Sequence, residues 1–155
     1  VVYKLAPYFE NFGKRVVKSP KYYFTDVGLL CFLLGIEKPD QVSRDPLVGN
    51  IFENLVVIEF LKERYNLGKM ANLYFFRDSN GNEVDIVIQN GRELVPVEIK
   101  SSSTFNKNFS KGIKKFIEIS KSSEKGEIIF SGDYCPSTDD YEVRNFKNVA
   151  SIFNN

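Results

Sequence analysis

The sequence predicts an α/β domain. Three observations predict it: an apolar helical stretch from Gly49 to about Tyr65, three strand-like segments between Leu73 and Lys100, and an amphipathic helix from Phe105 to about Ser120 leading to the apolar strand Glu127 to Phe130. At 155 residues and 43% hydrophobic content the chain can bury one good core, so a single compact unit is expected.

Tyr22-Tyr23-Phe24 reads as a short strand, after which Thr25 or Asp26 can cap a helix ending at Gly35. That helix is almost wholly apolar, which predicts burial. Glu37 to Pro46 is polar with two prolines and reads as a loop. The segments Leu73 to Phe76, Glu83 to Ile88 and Glu93 to Lys100 are separated by Ser79-Asn80-Gly81-Asn82 and Gln89-Asn90-Gly91-Arg92. These tetrapeptides have hairpin-turn chemistry, so an antiparallel meander follows. A last strand is expected near Val149 to Phe153.

Twenty-one basic residues balance twenty acidic ones, so overall charge selects no partner. The chain contains no histidine. This removes the commonest general base and the usual zinc ligand, leaving carboxylates, lysine and tyrosine for proton chemistry. No GxxxxGK[ST] loop is present either. Cys31 and Cys135 sit at no metal-ligand spacing and read as reduced thiols of a cytoplasmic protein. Val1-Val2-Tyr3-Lys4-Leu5 shows no initiator Met and no signal-peptide core. No run of about 18 apolar residues suits a membrane span, so no membrane partner is expected and the chain reads as a piece of a longer protein.

The chemistry concentrates on Asp85 and on Glu98-Ile99-Lys100, thirteen residues downstream. Side chains two apart on a strand share a face, so Glu98 and Lys100 point together, as do Glu83 and Asp85. If the two faces coincide, a bound divalent cation would offset the repulsion between carboxylates. Cross-strand pairing of these acids with Lys100 on a half-exposed sheet fits the same pattern. In the preceding helix, Glu53 and Glu59 lie among apolar neighbours, and each needs a partner if buried. Lys107, Lys111, Lys114 and Lys115 line one side of the second helix opposite Phe109, Ile113, Phe116 and Ile117. Lys14, Arg15, Lys18 and Lys21 form a second basic patch. Both sets suit phosphate contact and both suit an ordinary solvated surface; the second could equally meet another module.

Gly49-Asn50-Ile51-Phe52-Glu53, Asp85 and Glu98-Ile99-Lys100, in this order of elements, resemble the PD-(D/E)XK nuclease superfamily, with archaeal Holliday-junction resolvases as close look-alikes. Lys18-Ser19-Pro20-Lys21, Tyr23-Phe24-Thr25-Asp26-Val27-Gly28-Leu29, Phe52-Glu53-Asn54, Gly81-Asn82-Glu83-Val84-Asp85 and Val97-Glu98-Ile99-Lys100-Ser101-Ser102 resemble the uncharacterised domain C-terminal to the ATPase module of many bacterial and archaeal AAA-type ATPases. In place of the superfamily's Pro before Asp, this chain has Val84.

The resemblance implies a restriction-endonuclease-like core spanning 49–155: helix, three-strand meander, helix, strand. It also implies a helical N-terminal extension over 1–48, linking to an ATPase module that would bind ATP and be the domain's own partner; oligomers are possible. The implied activity is Mg²⁺- or Mn²⁺-dependent cleavage of nucleic acid, with DNA as partner. Asp85, Glu98, the Ile99 carbonyl and Glu53 would hold the metal, and Lys100 would position or deprotonate water. Glu59 would orient Lys100 or cap a loop. The alternative is a non-catalytic DNA- or protein-binding module on the same scaffold, supporting the ATPase.

Overall fold

A computed structural model describes residues 1–9, 19–122 and 124–153. Among them a seven-stranded mixed sheet runs in the order β2-β1-β3-β4-β5-β6-β7. Its strands are β1 Val2–Pro7, β2 Lys21–Phe24, β3 Leu73–Arg77, β4 Glu83–Asn90, β5 Glu93–Lys100, β6 Gly126–Phe130 and β7 Tyr141–Asn145. The helices are α1 Val27–Leu33, α2 Pro39–Val42, α3 Val48–Asn66 and α4 Lys111–Ser120, with 3-10 turns over Lys107–Ser110 and Phe146–Phe153.

The expected meander is present: β3, β4 and β5 pair antiparallel. Its first turn is built by Asp78, whose Oδ1 accepts the Asn80 and Asn82 backbone N–H groups at 2.9 Å each, while Gly81 takes φ +82°. Beyond the meander, β6 and β7 add in parallel. Helix α3 packs on one face over Phe75, Ile86, Ile88, Val97, Ile99 and Ile129. On the opposite face, α4 buries Ile113 and Phe116 against strand residues including Val84, Val87, Ile128 and Phe130. The amphipathic reading of α4 therefore holds: Lys107, Lys111 and Lys114 lie exposed.

Three expectations are corrected. The N-terminal extension is not simply helical: besides α1 and α2 it carries β1 and β2, and β1 pairs antiparallel with β2 and parallel with β3, which brings both strands into the sheet. Helix α1 buries no residue at all: Phe32 stays 75% and Leu33 61% exposed, because this seven-residue helix lies beside β2 and α3 instead of beneath a covering layer. The last strand is Tyr141–Asn145. Phe146–Phe153 instead forms 3-10 turns that pack on α3, with Phe153 edge-on to Phe60 at 5.6 Å and Phe146 edge-on to Phe52 at 5.3 Å. Within the polar loop, Pro39–Val42 also makes one short helical turn.

Candidate functional site

A register shift between β3 and β4 shapes the site. Tyr74 opposes Val87 while Phe76 opposes Val84, so β4 carries one extra residue in the stretch containing Asp85. Strict alternation would put Val84 on the same face as Ile86 and Ile88; instead Val84 packs towards α4 and the two isoleucines towards α3. The β4–β5 ladder runs from Asn90–Glu93 to Ile86–Val97 and stops before Asp85. Here the Asp85 side chain takes over as acceptor, with Ile99 N–H donating to Oδ2 at 2.8 Å. Asp85 is thereby fixed in the seam between β4 and β5 and is only 8% exposed.

Glu98 and Lys100 share a strand face, as the alternation predicted, and Lys100 donates to Glu98 Oε1 at 2.5 Å. The Lys100 ammonium also stands 4.0 Å from Asp85 Oδ2. The other Glu98 oxygen, Oε2, is buried with no hydrogen-bond partner. It faces the first turn of α4, where a Cβ on Gly112 would stand 3.1 Å from Oε2 and 2.5 Å from the Glu83 carbonyl oxygen. Gly112 therefore lets α4 close over this corner.

From the α3 side comes Glu53, whose Oε1 accepts from Tyr23 Oη at 2.5 Å and from Lys21 Nζ at 3.0 Å. Lys21 ties the cluster together: its ammonium lies 2.8 Å from Glu83 Oε1 and 4.0 Å from Asp85 Oδ1 as well. Arg77 grips Glu83 with Nε at 3.0 Å and Nη2 at 2.7 Å. Strand β2 is held in place by Asn54 of α3, which accepts from Phe24 N and donates to Phe24 O, both at 2.8 Å. Lys21, Glu53, Arg77, Glu83 and Asp85 line a cavity of about 530 Å³ together with Tyr22, Phe24, Leu30, Leu34 and Leu47.

Burial, then the charges of Glu98 and Glu53, push the Asp85 carboxyl up to about 7 despite Lys100 and Lys21. Burial likewise raises Glu98, although Lys100 works against it. Glu83 is held below its usual range: burial would raise it, but Lys21 and Arg77 outweigh that. For Lys21 and Lys100, burial favours the neutral amine, yet the surrounding carboxylates win and raise both. The carboxylates around Lys100 thus favour its ammonium form, which suits it to steady negative charge.

Glu53, Asp85, Glu98 and Lys100 are thus brought together from α3, β4 and β5. Glu59 is not: it pairs with Lys62 at 2.8 Å on the outer side of α3, three residues along the same helix, and neither orients Lys100 nor caps a loop. Lys21 leaves the expected surface patch and points into the cluster, while Lys14, Arg15 and Lys18 lie outside the described residues. Lys114 pairs with Asp140 at 3.1 Å and Lys115 with Glu118 at 2.8 Å. Sequence reading missed Lys21, Tyr23 and Arg77 as members of the cluster. The alternation of Lys21 and Tyr23 along one short strand is the signal that both could face the same way.

The donor set suits a hard cation: carboxylate oxygens from separate elements, one of them buried and unpartnered. Among the described residues, however, no three acidic or cysteine side chains already stand in chelating arrangement. The carboxylates are instead spaced by the two lysine ammoniums.

Residues 48–152 match a family described as a domain of unknown function, DUF4143. The chain belongs to that family. Residues 1–40 match a second domain of unknown function, DUF8612. Two uncharacterized proteins, from Mycobacterium bovis (strain ATCC BAA-935 / AF2122/97) and Mycobacterium tuberculosis (strain ATCC 25618 / H37Rv), are each 36% identical over 104 residues. The match covers 67% of this chain and 23% of each relative, so the chain spans less than a quarter of the length of these curated relatives. Among the described residues, no helix of this DUF4143 chain is long and apolar enough to cross a membrane.

Proposed function

We propose that this domain is a divalent-metal-dependent nucleic-acid phosphodiesterase of restriction-endonuclease-like, PD-(D/E)XK type, working in the cytoplasm beside an AAA-type ATPase module of a longer protein. The observation that carries the reading is the convergence of Glu53, Asp85, Glu98 and Lys100 from three elements, with Glu98 Oε2 left unpartnered. Asp85, Glu98 and Glu53 would hold Mg²⁺ or Mn²⁺, joined by the Ile99 carbonyl. Such an ion supplies Lewis acidity and a more acidic bound water. Lys100 steadies charge developing on the phosphate and orients the attacking water through its ammonium, while the Ile99 N–H fixes the rotamer of Asp85. DNA is the proposed substrate, with Lys107 and Lys111 as exposed phosphate contacts.

A second reading has its own support. The near-balance of Lys21, Lys100 and Arg77 against the carboxylates resembles a settled internal salt network, which suits a DNA- or protein-binding module that keeps the scaffold without the reaction. Thermal shift with Mg²⁺ or Mn²⁺ separates the two. A stabilising response that Asp85→Ala and Glu98→Ala both abolish is expected for the metal site. Cleavage of plasmid or branched DNA, abolished in Lys100→Ala, is expected of the enzyme. No metal response in wild type would leave the binding module standing.

A further inference from the structure

Lys21 holds an unusual position for a strand lysine. Its ammonium lies within 4.0 Å of carboxylates from Glu53, Glu83 and Asp85, and its side chain is only 21% exposed. Resting on the metal-site reading above, we infer that the Lys21 ammonium is the resident cation of this site and must swing away when a divalent ion binds.

The argument is one of space and charge. A divalent ion bonds carboxylate oxygens at roughly 2.0–2.6 Å, and an ion that close to Glu53 Oε1 and Asp85 Oδ1 would occupy the volume that Lys21 Nζ fills at 3.0 and 4.0 Å from the same atoms. Two positive charges a few ångströms apart repel strongly in a partly buried site, and a divalent ion doubles that repulsion. The exchange leaves its former partners provided for. Glu83 keeps Arg77 on both of its oxygens, and Glu53 keeps the Tyr23 hydroxyl. The departing side chain has somewhere to go, because Lys21 lines the cavity of about 530 Å³. Lys100 differs: its closest partner is Glu98, and its ammonium reaches Asp85 through Oδ2, the oxygen already engaged by Ile99 N–H. Lys21 therefore governs access to the Glu53 side of the cluster.

Mn²⁺ affinity, read by electron paramagnetic resonance on the chelator-stripped 155-residue chain, tests the inference in wild type, Lys21→Met and Lys21→Arg. Lys21→Met should bind Mn²⁺ about tenfold tighter or more once the competing charge is gone, and Lys21→Arg should stay near wild type. Wild-type binding without a gain in Lys21→Met overturns the exchange and leaves the metal site intact; no Mn²⁺ bound by any of the three removes both. A measurement on wild type alone guards against a variant that fails to fold. Acetylation of the Lys21 amine, followed by mass spectrometry with the Lys62 amine as internal reference, should speed up severalfold when Mg²⁺ is added. An unchanged or slower rate means that lysine and ion sit together, and the inference is wrong.

Discussion

Replacing Asp85 by Asn should make the metal-free protein more stable at neutral pH. Asn keeps a side-chain oxygen for the Ile99 N–H and has nearly the same shape, but carries no charge in a position that is 8% exposed. Burial and the charges of Glu98 and Glu53 lift the Asp85 carboxyl from 3.8 to about 7. The folded state therefore holds the proton more tightly than the unfolded chain, and wild type loses stability as pH rises from about 4 through about 7. At about 1.4 kcal/mol per pH unit the full penalty above that window is about 4 kcal/mol, which relaxation around the charge reduces to about 1–3 kcal/mol. For a domain of this length that is a rise in Tm of roughly 3–10 °C for Asp85→Asn. Urea or thermal denaturation in the presence of a chelator reads it directly. The gap should be widest near pH 8 and close steadily as pH falls towards about 4. A variant no more stable than wild type at pH 8, or a gap independent of pH, would refute the claim that Asp85 is a strained buried charge.

Three other substitutions probe the sheet and the site it carries. Arg144→Met leaves Glu127, 7% exposed, without the guanidinium that now binds it at 2.8 and 3.2 Å; a loss of about 2–4 kcal/mol in urea denaturation is expected, largely restored by adding Glu127→Gln. Gly112→Ala puts a methyl 2.5 Å from the Glu83 carbonyl oxygen, so α4 must shift outward. Its cost should be about 1–3 kcal/mol, with a weaker metal response because Glu98 moves too. Asn54→Ala removes both hydrogen bonds to Phe24, and should cost about 1–3 kcal/mol and speed hydrogen exchange in Lys21–Phe24 before the rest of the sheet.

Much of the scaffold was legible from local pattern. The turn residues around Gly81 and Gly91, both at positive φ, announced the meander, and the lysine and apolar stripes of Lys111–Ser120 announced which side of α4 is buried. The strand Val2–Pro7 was missed, although Val2-Tyr3, a β-branched residue followed by an aromatic one, is a local strand signal. Other misjudgements had a different origin. The apolar run of α1 predicts burial only if a layer covers it, and coverage is decided by neighbours far along the chain.

For the site, the shared face of Glu98 and Lys100 follows from the two-residue period of a strand, which any local reading can apply. The position of Asp85 does not. One extra residue in β4 overrides alternation there, and a register shift arises from how two strands pair rather than from either strand alone. Sequence alone determined that this chain, lacking histidine, has carboxylates and lysines for its chemistry, and which strand carries two of them. Only the tertiary structure decided that Glu53 meets Lys21, thirty-two residues away, and that Glu59 does not join them. The reason is physical: a charge removed from water is stabilised by whatever stands within a few ångströms, and that neighbourhood is set by folding, not by distance along the chain.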